Sequence, residues 1–148
     1  DHADNPYLRY DLAYAYLAAG DPARARIEAE RSYTLSPVDP AGIAALGDAV
    51  LCGGDLKAAE ETYRKLLKPN DLASILGWER LSSLNLLRGR FRQAEDDLRQ
   101  ALQNARTAGT KHDEVHARTE LCYLKWRRGR TTESLEESEA ALKVAADL

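Results

Sequence analysis

The sequence predicts an all-α fold, a stack of antiparallel helix pairs, and three observations predict it. Ala and Leu together supply 46 of the 148 residues while Val and Ile supply 7, a balance that favours helix over strand. Gly20, Gly54, Gly89 and Gly129 recur at intervals of 34, 35 and 40 residues, which marks an internal repeat. Side chains of fixed size also stand at fixed offsets from each glycine. Eight residues before it is Leu12, Leu46, Leu81 or Leu121, followed at once by a small residue, Ala13, Gly47, Ser82 or Cys122. Five after it is the small Ala25, Ala59, Ala94 or Ser134, and thirteen after it the large Tyr33, Leu67, Leu102 or Leu142. Each unit therefore reads as helix, tight turn, helix with two packing stripes.

The first helix is expected over 6–19, closed by Gly20, because glycine takes the left-handed conformation that ends a helix at little cost. Asp21 then caps a second helix over 22–35, with Pro22 at the first helical position, where its missing N–H does no harm. Asp39 and Pro40 repeat the device for a third helix over 40–52, and Gly54 leads into a fourth over 55–68. A fifth over 71–88 carries Leu81, Leu84, Leu86 and Leu87 at helical spacing, and a sixth over 91–108 carries Ala94, Leu98, Ala101 and Leu102. The seventh, 112–128, ends at Gly129, and the eighth, 131–147, bears Leu135, Leu142 and Ala145. These pair into units over 6–37, 40–70, 71–108 and 112–148 of a single domain. One helix pair cannot bury both its stripes, so each depends on neighbours. Leu135, Leu142 and Leu148 have no later helix to cover them, which predicts further chain beyond Leu148 or an end-to-end dimer of this piece. The start at Asp1, with no Met, also reads as part of something longer.

Composition narrows function. The net charge of −3 and pI near 5.7 argue against general nucleic-acid binding. No apolar run is long enough for a membrane span, and a cytoplasmic location is expected. Cys52 and Cys122, seventy positions apart, support neither a disulfide framework nor a zinc module. No phosphate-binding glycine loop, nucleophile elbow or triad appears, so no enzyme activity and no cofactor are expected. His112 and His116 share a helical face with Glu120 a turn further on, but the first His lacks the directly following Glu of zinc proteases, so a polar helix start is preferred to a metal site. His2 lies near the start of the chain and joins no cluster.

The motif residues Leu46-Gly47 with Gly54, Ala59 and Tyr63, Trp78 with Leu81, Gly89, Ala94, Leu98 and Ala101, and Leu12-Ala13 with Tyr16, Gly20-Asp21, Ala25 and Pro37 resemble the tetratricopeptide repeat. The likeness covers nearly the whole chain. It departs at about six extra residues around Ala108-Gly109-Thr110-Lys111 and at the polar Ser134 and Ser138; such longer units resemble those of bacterial regulators and kinesin-light-chain-like scaffolds. The resemblance implies an alpha-alpha superhelix, a right-handed solenoid with a concave inner face. That face would be lined by residues ten, six, three and two before each turn glycine, Ala44, Cys52 and Thr119 among them.

On that frame the candidate partner-binding groove comprises Tyr10, Tyr14, Leu17, Asp48, Leu51, Glu79, Ser83, Leu86, Leu87, Tyr123, Trp126 and Arg127. Tyr7 joins it because it shares a helical face with Tyr10 and Tyr14. Aromatic side chains of this kind anchor partner segments, though they also pack within cores. The resemblance further implies a role in holding a protein or peptide; the alternative is a regulatory or sensor module of a larger protein that binds a small ligand. The Lys or Arg and Asn pairs with which one subfamily grips the carboxylate of chaperone tails are missing from the relevant columns, so no such binding is expected. Arg88, Arg90, Arg92, Arg127, Arg128 and Arg130 gather at turns and are read as solvated surface, with an acidic peptide or phosphate site as the alternative. Glu60-Glu61, Glu95-Asp96-Asp97 and Glu133, Glu136, Glu137 and Glu139 are expected to face water.

Overall fold

The computed structural model describes residues 4–68 and 71–148, so His2 and the expected unit boundary at 70 lie outside the described residues. Among the described residues there are eight α-helices and no strand: α1 (Pro6–Ala18), α2 (Pro22–Leu35), α3 (Pro40–Cys52), α4 (Leu56–Arg64), α5 (Ala73–Leu87), α6 (Phe91–Ala108), α7 (Lys111–Arg127) and α8 (Thr131–Ala145). None of them is long and apolar enough to cross a membrane. The fold class is all-α, built of tetratricopeptide-like helix pairs.

The punctuation works as expected. Asp21 Oδ1 accepts from the Arg24 N–H at 2.9 Å and Asp39 Oδ1 from the Ala41 N–H at 3.2 Å, each with Pro at the first helical position. Gly20, Gly54, Gly89 and Gly129 all have positive φ, 70° to 91°, and Gly109 joins them at 72° between the lengthened α6 and α7. Several boundaries differ by one or two residues, and the end of α4 by four. α4 stops at Arg64 instead of 68, its end tightened by three-residue bonds from the Lys65 N–H to the Thr62 carbonyl at 3.1 Å and from the Leu66 N–H to the Tyr63 carbonyl at 3.0 Å. α5 starts at Ala73 instead of 71, and Asp71 just before it accepts from the Ala73 N–H through Oδ1 at 2.9 Å.

The chain falls into two compact units, Asp1–Leu66 with α1 to α4 and Leu67–Leu148 with α5 to α8. In unit 1, α3 packs on α1, α2 and α4. Its core includes Ala13, Ala25, Ile43, Leu46, Ala59 and the fully buried Tyr63. In unit 2, α5 to α8 pack in sequence, and Ile75, Ala94, Leu98, Ala101, Leu102, Ala117, Leu121 and Leu124 form one core cluster. The small columns on both sides of the turn are buried except at Cys122, which is partly exposed, and where they carry oxygen they also bond. Ser82 donates to the Ala94 carbonyl at 3.0 Å, and in the next pair the direction reverses, Ser134 donating to the Cys122 carbonyl at 3.0 Å. Ser134 is therefore a buried hydrogen-bonding member of its column. The large columns hold less uniformly: Leu12, on the first helix, and Leu142, on the last, are 38% and 68% exposed.

Candidate functional site

In unit 1, the three- and four-residue spacings on α1 put the rings of Tyr7, Tyr10 and Tyr14 edge to face, with centroids 6.2 and 6.5 Å apart. This is the favourable geometry for aromatic quadrupoles. Tyr14 donates its hydroxyl proton to Asp48 Oδ2 at 3.1 Å, and Tyr63 donates to Asp48 Oδ1 at 2.7 Å. Gly47 makes room for this: a Cβ there would stand 2.2 Å from Tyr63 Cε1, so only glycine lets the α4 ring lie against α3 with its hydroxyl on the next residue. Tyr10, Tyr14, Leu17, Asp48 and Leu51 are half-buried, while Tyr7 remains 58% exposed. Burial, then the charges of Asp11 and Asp39, push the Tyr10 hydroxyl above its ordinary range. Ala44, expected on the inner face, is instead buried at 1% exposure.

In unit 2, the C-terminal ends of α5 and α7 and the start of α6 converge. Leu86, Leu87, Phe91, Tyr123, Leu124 and Arg127 line a recess of about 240 Å³. Leu87, Phe91 and Tyr123 are 67%, 45% and 48% exposed. Trp126, 61% exposed, leans on Tyr123 with ring centroids 5.9 Å apart. Arg127 lies over the Tyr123 ring at 5.7 Å and donates to its hydroxyl at 3.2 Å, which holds both side chains beside the recess. Ser83 is exposed and donates to the carbonyl of Glu79, within its own helix, at 3.1 Å. Glu79 Oε1 meets His116 Nδ1 at 2.8 Å, tying α5 to α7. That hydrogen bond raises the His116 pKa against the opposing effect of burial, with help from the charges of Glu79, Glu120 and Asp113. Phe91, which sits directly after the turn, belongs to this set and was not among the residues expected from the repeat columns.

Two expectations about charge are corrected. Glu95 and Asp97 do not face water but are 4% and 5% exposed, because helix pairing brings cations and an amide to them. Glu95 is bonded by Arg99 at 2.6 Å, Arg130 at 2.6 Å and Arg128 at 3.3 Å, and Arg130 also pairs with Glu133. So Arg128 and Arg130 clamp the α7–α8 turn onto α6 instead of lying loose in solvent, and the pairing raises the Arg130 pKa and lowers that of Glu133. Asn85 donates to Asp97 at 2.7 Å, and the same columns one pair later place Lys125 on Glu137 at 2.8 Å, where Arg118 bonds as well, also at 2.8 Å. Burial works against ionised Glu114, but hydrogen bonds from Arg106 and Arg118 outweigh it and lower its pKa.

No protein-family model and no curated protein matches the chain. Solved structures do. A kinesin light chain with nearly identical TPR-like repeats, labelled as from Podosopora anserina, is 16% identical with a TM-score of 0.72, over 99% of this chain and 77% of that one. PilF of Pseudomonas aeruginosa is 16% identical with a TM-score of 0.70, over 97% of this chain and 62% of that one. MamA is 15% identical with a TM-score of 0.66, over 98% and 81%. At these identities the likeness establishes the fold.

Proposed function

We propose that this chain is a non-catalytic module that holds a protein or peptide segment against an apolar and aromatic surface. The observation that supports the reading is the recess in unit 2: Leu87, Phe91, Tyr123 and Trp126, all at least 45% exposed, gather round one concavity. Large apolar side chains scattered singly need no explanation, but a contiguous set with a recess at its centre marks an interaction site. Aromatic residues and Arg also contribute most to binding energy, since their area is large and few rotors freeze. Leu86, Ser83 and Glu79 border this surface along α5. In unit 1 the exposed Tyr7, edge to face with Tyr10, offers a separate contact of the same kind. The fold it shares with helix-pair repeat proteins, which generally work as protein-interaction scaffolds, agrees with this role.

Selection from a random peptide library, followed by measured affinities of the selected peptides, tests the reading. The expected result is peptides that lose about tenfold or more in affinity for Trp126→Ala or Leu87→Ser. Equal affinity for wild type and folded variants excludes the unit 2 surface.

A further inference from the structure

Resting on that reading, we infer that the partner segment is acidic: an apolar or aromatic side chain enters the unit 2 recess while flanking carboxylates meet a row of arginines beside it. A second concavity adjoins the first, lined by Gly89, Arg90, Phe91, Arg92, Gln93 and Arg128, and Phe91 lines both. Neither is lined by any Asp or Glu, in a protein whose net charge is −3. The acids of this end are spent elsewhere: Glu95 lies buried beneath the turn, held by Arg99, Arg128 and Arg130, and Glu133 is held by Arg130.

The cations of the two concavities are not spent in the same way. Arg130 is committed to two carboxylates and Arg128 makes one 3.3 Å bond to Glu95. Among the described residues Arg127 bonds to a phenol and no carboxylate pairs with Arg90 or Arg92, whose residues are exposed. Three guanidinium groups therefore line the two concavities that share Phe91, Arg127 the apolar pocket and Arg90 and Arg92 its neighbour, and each presents a planar fork suited to a carboxylate. The pocket, at about 240 Å³, is larger than the roughly 150 Å³ that accommodates a benzene ring, so it has room for one Leu or aromatic side chain. An apolar socket with a few cations at its rim suits a peptide better than a nucleic acid, which needs a long basic track. A lipid surface, in turn, would call for a broad basic face.

A short fluorescein-labelled peptide with one central Phe among Asp and Glu residues is the probe, read by fluorescence anisotropy. Binding is expected to weaken about tenfold in the Arg90→Glu, Arg92→Glu double variant, whose exposed positions leave folding intact by circular dichroism. Binding should also fall steeply as salt rises from about 50 to about 300 mM. Phe91→Ala should weaken it as well, and if that variant misfolds the arginine variant carries the test. Equal binding of the same peptide with Asn and Gln in place of its acids overturns the inference. So does equal binding of an oligothymidylate of matched charge or of phosphatidylglycerol vesicles. Library peptides that need Trp126 but carry no acids would also overturn it while leaving the scaffold reading standing, whereas peptides indifferent to Trp126 would remove both.

Discussion

Tyr14 in unit 1 and Tyr123 in unit 2 stand six residues before their turn glycines, yet their surroundings differ. Tyr14 gives its hydroxyl proton to Asp48, which occupies the same column of the next helix pair. The residue in that column of α5 is Ser83, too short to reach across and bonded to its own helix. Among the described residues Tyr123 accepts from Arg127 alone, and it stays 48% exposed. Asp48, in the pair that follows, ties Tyr14 into unit 1, whereas Tyr123 is left to meet something else. Substitutions in unit 1 aromatics should cost stability, and those in unit 2 should cost binding.

The sharpest contrast lies in the columns four before and eight after each glycine. In α7 and α8 these hold Lys125 and Glu137, with Lys125 only 7% exposed. Glu137→Ala strands that ammonium, because Arg118 keeps Glu114 while among the described residues no other carboxylate bonds Lys125. The expected loss is about 3 kcal/mol in urea unfolding followed by circular dichroism. The same column of unit 1 holds Thr62, whose hydroxyl donates to the Ala58 carbonyl within its own helix, and Thr62→Ala should cost about 1 kcal/mol. Equal losses would mean that the pairing register of the two units does not differ. Next in size is Gly47→Ala, which drives a methyl group into the buried Tyr63 ring and should cost about 2 kcal/mol. Its column-mate Ser82→Ala loses one hydrogen bond and should cost about 1 kcal/mol.

These pairs also show what could be read in advance. The glycine ruler and the size columns specify the helices, because turn conformation and close packing are demands of single residues and local spacing. The columns likewise place Leu86 and Leu87 near the end of one first helix and Tyr123 and Trp126 near the end of the next. Which of these faces another side chain depends on its partner across the pair. An Asp at position 48 and an Asp at position 97 look alike in sequence, but one bridges two tyrosines and the other is buried against Asn85. Glu95 reads as a surface acid for the same reason: of its three cations only Arg99 is near in sequence, while Arg128 and Arg130 come from more than thirty residues away. Phe91 stands at the first position of α6, outside every repeat column that the glycines align.

Smaller effects separate packing from contact surface. Tyr14→Phe keeps the ring and deletes the hydrogen bond to Asp48, for an expected loss of about 1 kcal/mol. Trp126→Ala removes a larger side chain, yet at 61% exposure it should change stability by less than about 0.5 kcal/mol. A thermal shift larger for Trp126→Ala than for Tyr14→Phe would reverse the assignment of the two units.

The smallest expected effect concerns the Glu79–His116 pair of unit 2. The bond to Glu79 raises the His116 pKa, so the folded protein holds this proton more tightly than the unfolded chain does. The resulting stabilisation is fully present below the ordinary histidine value of about 6.5 and is lost as pH rises through the raised folded value. With the imidazole side chain 54% exposed, solvent screening holds the contribution to a fraction of a kcal/mol. The stability difference between wild type and Glu79→Gln should therefore be measurable near pH 5.5 and shrink towards pH 8. NMR titration gives the more direct reading: the His116 midpoint should fall in Glu79→Gln, although Asp113 and Glu120 on α7 still favour its charged form. An unchanged midpoint would show that α5 and α7 are not joined through this pair, and that the surface of unit 2 is assembled by its apolar contacts alone.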